Sequence, residues 1–378
     1  MSSLKFIFPT DGDFVNKYDG EIIDNTLYVD FLIETDSRDV SVCGIKADFD
    51  EKSGYIKAKV PLYGYRNRII AKTETEEKFI TVFALSEEKL KKFRLSSDDN
   101  IRFLKELTEG DYRSIFDHPY LAIYKKAHDL FGAKVHLNLF YAFDEKARGC
   151  FSGKHDYFDL SMMTDRYKEE FIKNSSWLKL AFHAESEFPD RPYKYADREK
   201  IKKDVIKICK EICRFAGKDC ISNSTTIHWG EANREVIREL RALGFTSLTG
   251  YFIKTDSNEP LVSYYFENEM VDHIGNRDFF MDTKEDMIFG RIDTVLNSGT
   301  IEKVLNEVNF ASNDLHRGGF VSIMIHEQYF YKGYRNYLPD FEERVLKSCE
   351  MLYNKGYKGA HVSEITKERA LMDYPEFI

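Results

Sequence analysis

The sequence predicts an α/β protein, with a small all-β sandwich over residues 1–95 followed by a distorted (β/α) barrel over residues 96–378. Three observations predict it. Up to about residue 95, short runs alternate apolar with polar side chains and are separated by Asp-Gly, Ser-Gly and Tyr-Gly turn signals roughly every ten residues. From about residue 110, short apolar runs alternate with amphipathic ones of helical length, a pattern that builds a parallel sheet and closes most readily as a barrel. The chain has 378 residues, more than the roughly 250–300 over which one core usually grows, so one small and one large unit are expected.

In the first unit, strands are expected over residues 26–33, 40–43, 55–60 and 78–84. The segment from Val60 to Ala71 resembles the late strands of bacterial immunoglobulin-like modules, which implies a sandwich and no particular ligand. The charge run from Glu87 to Lys92 reads as a solvated connector, and Ser96-Ser97-Asp98-Asp99 as a helix N-cap leading into the apolar run that starts at Ile101. Beyond it, strands are expected at 112–116, 134–141, 177–182, 225–228, 245–251, 321–325 and 359–362. Helices are expected at 120–131, 166–174, 197–215, 233–243 and 340–356.

Composition narrows the function classes. Lys and Arg number 55 against 64 Asp and Glu, a formal charge of −9 with no basic block, so a nucleic-acid partner is not expected. No basic segment followed by an apolar run opens the chain and no stretch reaches membrane-span length, so a cytoplasmic protein without a membrane partner is expected. The six cysteines include no Cys-x-x-Cys spacing and read as reduced thiols; Cys209, Cys213 and Cys220 form a less favoured metal trio. Aromatics make up 15%, with 30 Phe and 23 Tyr; because Phe dominates, core packing is the favoured reading over a sugar-stacking surface.

Four polar strand ends carry the candidate chemistry: Phe116-Asp117-His118, Phe182-His183 to Glu187, His228-Trp229-Gly230-Glu231, and Ile325-His326-Glu327-Gln328. In a strand-helix barrel the C-terminal strand ends hold the chemistry, so these segments would converge. His183 and Glu187, four apart, would share a face if the segment made a helical turn. Trp229 would wall a pocket for a sugar or acyl group, and Gly230 permits a tight turn. Each motif also has a structural reading: Asp117 as a helix cap, His183 and Glu187 on a surface loop, and Trp229 as a buried residue beside a cap.

At this point the chain resembles the polysaccharide deacetylase family, metal-dependent carbohydrate esterases with a distorted barrel, over residues 110–365. The resemblance implies that Phe116-Asp117-His118 stands for the family's Phe-Asp-Asp, with Asp117 the base and His118 a metal ligand. His183 and Glu187 stand for the two ligands of its His-Ser/Thr-x-x-His motif. Ile325-His326 stands for its late Leu-His motif, whose His is the acid. The family's Arg-x-Pro-x-Gly motif has no counterpart, and Thr226-Ile227-His228-Trp229-Gly230 occupies that place.

The expectation is therefore a deacetylase-type hydrolase acting on an acylated carbohydrate or related amide. Its divalent ion would be zinc first, with cobalt, nickel, manganese or iron also suited to these side chains. His118, His183 and either Glu187 or His228 would hold the ion, Asp117 and His326 would move protons, and Trp229, Glu231 and Glu327 would meet the substrate. Two other readings stand beside it: a saccharide-binding protein without catalysis, and a glycosidase pairing Asp117 with Glu231 or Glu327.

Overall fold

The computed structural model describes residues 4–143, 149–152 and 157–366. The chain begins with nine strands in one sheet that folds over on itself. Thr26–Glu34 shows why: Leu27, Val29, Phe31 and Ile33 alternate inward and join Ala58, Val60, Ile69 and Val82 in one apolar cluster. The sheet is not a free-standing immunoglobulin-like unit. Phe14, Phe83, Leu85 and Leu90 pack with Phe279, Met281, Ile288 and Phe320 in a further cluster that joins it to the α/β part. Main chain seals the same seam, where Met281 donates to the Gly12 carbonyl at 2.9 Å. A Cβ at Gly12 would lie 1.9 Å from the Met281 oxygen, and its φ is +93°, so only glycine fits that approach.

Residues 92–100 correct the sequence reading. Ser96 to Asp99 do not cap a helix; they lie in the strand Lys92–Asn100, the centre of a parallel sheet. Val135–Phe140 and Phe320–His326 flank it, with Leu178–Ala184 and Thr294–Val295 beyond them. Phe93 and Leu95 enter the apolar core, and the Ser97 hydroxyl meets Tyr120 of the helix Pro119–Phe131 at 2.6 Å. Arg94 and Asp98 reach Ser322 and Asn138 on neighbouring strands. The helix that Asp99 was expected to cap starts later, at Arg102–Glu109.

A second sheet pairs Ser224–Thr225, Ser247–Gly250 and Met287–Arg291 in parallel, with Phe279–Asp282 antiparallel at its edge. The two sheets approach at both sides, through the Leu180 and Ile221 bridge and through Asp293 donating to the Ser322 carbonyl at 2.8 Å. The predicted closed barrel is accordingly an open, half-barrel arrangement of curled sheets among the described residues. Arg198–Phe215, Arg234–Ala242 and Ile301–Asn313 cover it, each started by a side-chain cap from Asp197, Asn233 and Thr300 respectively. Residues 112–116 form no strand: they are turn and a short 3-10 segment, Ile115–Asp117. No described helix is long and apolar enough to cross a membrane.

Candidate metal centre

Several strand ends meet at one point. Lys92–Asn100 delivers Asp98 and Asp99, Leu178–Ala184 delivers His183, the turn after Ser224–Thr225 delivers His228, and Phe320–His326 delivers His326. Asp99, at φ +62°, and Trp229, which follows His228, at +65°, stand at left-handed backbone angles. Non-glycine residues occupy that region at a cost, which the surrounding packing must offset. Gly230 completes the His228 turn at φ +54°, and a Cβ there would lie 2.4 Å from Val262.

Asp99, His183 and His228 are all buried, and their donor atoms face one another. Asp99 Oδ1 lies 2.9 Å from His183 Nε2 and 3.3 Å from His228 Nδ1, and the two ring nitrogens are 3.2 Å apart. The outer nitrogens fix the tautomers, because a carbonyl can only accept. His183 Nδ1 donates to the Thr226 carbonyl, and His228 Nε2 donates to that of Glu187 at 3.0 Å. When neutral, the rings therefore turn two proton-free nitrogens and one carboxylate oxygen toward a common centre, which is a cation's environment; a proton taking the cation's place on an inner nitrogen is donated to Asp99 Oδ1. The separations agree: ligands about 2.0–2.2 Å from a tetrahedral zinc are themselves roughly 3.3 Å apart. The backbone carbonyls supply the outer hydrogen bonds that metal-binding histidines require.

The electrostatics follow from this crowding. Burial would raise the Asp99 carboxyl, but hydrogen bonds to His183 and His228 outweigh it and hold the group well below the usual range. Burial would lower His183, and its bond to Asp99 reverses the direction. At Glu187 the balance tips the other way: burial, and then the Asp99 charge, outweigh the His183 charge and the Gln328 hydrogen bond and push its carboxyl up to about 8. Gln328 joins the two acids, its Nε2 donating to Asp99 Oδ2 at 2.7 Å and to Glu187 Oε2 at 3.3 Å.

Around the centre stand groups able to move protons. Asp98 is buried and accepts from Asn138 Nδ2 at 2.6 Å, while Asn138 Oδ1 in turn accepts from Thr225 at 3.1 Å. Asn297 Oδ1 accepts from both the backbone and Nδ1 of His326, at 3.1 and 2.9 Å, which leaves His326 Nε2 facing Asp99 Oδ2 at 4.0 Å. Phe140 walls the site, 5.2 and 5.0 Å from the rings of His183 and His228. A cavity of about 20 Å³ opens beside Asp99, Phe140, Glu187 and Gln328; a space of that size admits roughly one water or ion.

Other predicted residues stand elsewhere. Asp117 is exposed in the 3-10 turn and accepts from the Ser114 backbone at 3.0 Å. His118 is buried, caps the helix Pro119–Phe131 through Tyr120, and pairs with Glu106 at 2.7 Å. Their partners are local because they begin a helix, so neither joins the Asp99 cluster. His183 lies in a strand rather than a helical turn, and Glu187 borders the cavity beside Asp99.

Trp229 is 39% exposed and edges the His228 ring at 6.0 Å. Glu231 is buried and held by Arg191 at 3.2 Å and Lys194 at 2.8 Å. Glu327 accepts from the backbones of Ile101, Arg102 and Phe103 at 2.7, 3.0 and 2.7 Å, fixing the loop behind Asp99. Burial still pushes its carboxyl up to about 7 against those bonds. Asp117, Glu231 and Glu327 thus each hold a structural partner. The cysteines are free thiols, with Cys209 and Cys220 buried and Cys213 partly so. The residues the sequence reading missed are Asp98, Asp99, Asn138, Asn297 and the role of Gln328; a double Asp ending the alternation of Phe93 and Leu95 was the available signal.

No family model matches the chain, and no curated protein does. Remotely similar solved structures include a family 4 acetyl xylan esterase from Clostridium thermocellum in complex with a cobalt ion. It is 11% identical over 72% of this chain and 89% of that one, with a TM-score of 0.39. A CE4 family pseudoenzyme from Bacillus anthracis is 10% identical over 85% of this chain and 89% of that one, at 0.37. A 4-alpha-glucanotransferase from Thermococcus litoralis is 12% identical over 74% of this chain and 40% of that one, at 0.44.

Proposed function

We propose that the protein is a metal-dependent hydrolase that removes an acyl group from an N- or O-acylated carbohydrate or a related amide. The observation that carries this reading is the inward-facing set of Asp99 Oδ1, His183 Nε2 and His228 Nδ1, with both ring N–H groups already spent on backbone carbonyls. Asp99, His183 and His228 would hold a divalent ion, which would supply Lewis acidity toward a carbonyl and a bound water. Asp98, oriented by Asn138, takes the proton from the attacking water. His326, oriented by Asn297, carries a proton on Nε2 to the departing nitrogen or oxygen. Phe140 and the buried backbone keep bulk water from the reacting atoms. In this arrangement Asp98 and Asp99 take the parts that the family resemblance had given to Asp117 and His118.

The test is elemental analysis of the purified protein beside a His183→Ala variant, followed by acetate release from acetylated sugars. About one equivalent of a transition metal, absent from the variant, is expected. Asp98→Asn should keep the metal and lose turnover. A protein that takes up no metal after reconstitution, or an Asp98→Asn variant with full turnover, would overturn the assignment.

A further inference from the structure

Arg102 follows the strand that carries Asp99 and opens the helix Arg102–Glu109. Its side chain lines the same cavity as Asp99, Glu187 and Gln328. The guanidinium carbon lies 3.3 Å from the ring centre of Phe151, 4.4 Å from that of Phe143 and 5.6 Å from that of Tyr331. Aromatic faces attract a cation but leave its in-plane N–H groups unmet. Nε and Nη2 are both shielded from solvent and have no hydrogen-bond acceptor.

The nearby carboxylates are engaged. Glu327 accepts from three backbone N–H groups, and Glu106 is held by His118 at 2.7 Å. Burial lowers the pKa of the guanidinium, against the pull of Glu327, Tyr331 and Glu106. Nε–H and Nη2–H form the parallel fork that matches the two oxygens of a carboxylate. The rings over the guanidinium favour a flat anion in its plane over a tetrahedral one. A buried donor pair with no partner costs stability and persists where a ligand uses it.

We propose that Arg102 recognises a carboxylate on the substrate, next to the acyl group removed at the metal centre. The proposal rests on the hydrolase reading above and narrows its substrate class to acylated sugars or amino acids that also bear a carboxylate. A neutral analogue leaves the fork unmet and is discriminated against for that reason.

The experiment is calorimetric titration of the full-length protein, with zinc and without, using N-acetylmuramic acid and N-acetylglucosamine, which share the acetamide and differ in the carboxylate. The wild type should bind the acidic sugar at least about tenfold more tightly. Arg102→Met should remove that preference, and Arg102→Lys, which keeps charge without the fork, should retain a minor part of it. Equal binding of the two sugars by the wild type, no binding of either, or an undiminished preference in Arg102→Met would overturn the proposal. So would a lower melting temperature with unchanged preference, which would assign Arg102 to the aromatic cluster alone. If Arg102→Met does not fold, Arg102→Lys decides, since an undiminished preference there is equally fatal. Acetate release measured in parallel separates the two readings. Preference without release removes the hydrolase and leaves the recognition; release without preference does the reverse.

Discussion

Two acidic corners of this molecule look alike in sequence and do different work. Asp117-His118 and Asp98-Asp99 each pair an acid with a second possible ligand just before a helix. At the first corner the partners are near in the chain: Ser114 for Asp117, and Tyr120 and Glu106 for His118. At the second they come from far away, with His183 84 positions and Gln328 229 positions from Asp99. A side chain satisfied by its own turn is finished with, whereas one met only by distant strand ends belongs to a site. Sequence distance between partners separates a cap from a centre better than residue type does.

The sharpest way to break this comparison is to neutralise both corners. Asp99→Asn should reduce metal content from about one equivalent to nearly none and abolish acyl release. Asp117→Asn should leave metal content unchanged and cost about 1 kcal/mol or less, the usual worth of a cap. Metal loss in the second variant would exchange the roles assigned to the corners.

Next in size is the pH response of chelator-treated protein, read as urea midpoints at pH 5.5 and 8. Burial raises the folded carboxyls of Glu187 to about 8, Glu327 to about 7 and Asp293 to about 6. Between the unfolded values, about 4, and these values the native state holds protons that the unfolded chain has released, so stability falls as pH rises. His183 adds the same sign, since its raised pKa contributes stability below the ordinary 6.5 that is lost as pH rises through the folded value. Asp99, held low, contributes stability that is lost only in acid, below this window, while His136 and His361, held low by burial, oppose the trend only between pH 5.5 and about 6.5. The midpoint should therefore be lower at pH 8, and zinc should restore it there, because metal requires the deprotonated ligands. A higher midpoint at pH 8 without metal would contradict the assigned shifts.

A smaller effect is expected of Glu327→Gln, which keeps the shape but loses one acceptor oxygen among three backbone donors. A loss of about 1–3 kcal/mol follows from leaving a buried N–H unmet, with weaker metal retention because the loop behind Asp99 loosens. Smallest is Trp229→Ala: metal content should not change, and KM should rise a few fold through lost contact area. An unchanged KM would remove Trp229 from the pocket.

Much of the fold was legible because helices advertise their starts. Asp197 and Asn233 cap the helices expected at 197–215 and 233–243, whereas the helix Ile301–Asn313, capped by Thr300, was not among those expected. His183, His228 and His326 were legible because each follows an apolar or β-branched run that needs no polar ending of its own. Asp98 and Asp99 were not, since Ser-Ser-Asp-Asp before Ile101 has the composition of a cap, and only pairing with Val135–Phe140 and Phe320–His326 makes it a central strand. Local pattern was equally silent about the seam between the β layer and the α/β part. Phe14 and Phe279 look like any core phenylalanines until the fold sets their rings 5.7 Å apart.

That seam has a consequence for how the molecule comes apart. Severing the chain between Ala84 and Lys92 would strip one wall from the cluster that holds Phe279, Met281 and Phe320, and the Gly12 carbonyl would lose its donor. The strand Lys92–Asn100, which carries Asp98 and Asp99, starts at the same seam, where Lys92 donates to the Gly319 carbonyl at 3.0 Å. The two halves are thus expected to melt in a single transition, with heat that loosens the outer sheet also dismantling the strand that carries Asp98 and Asp99.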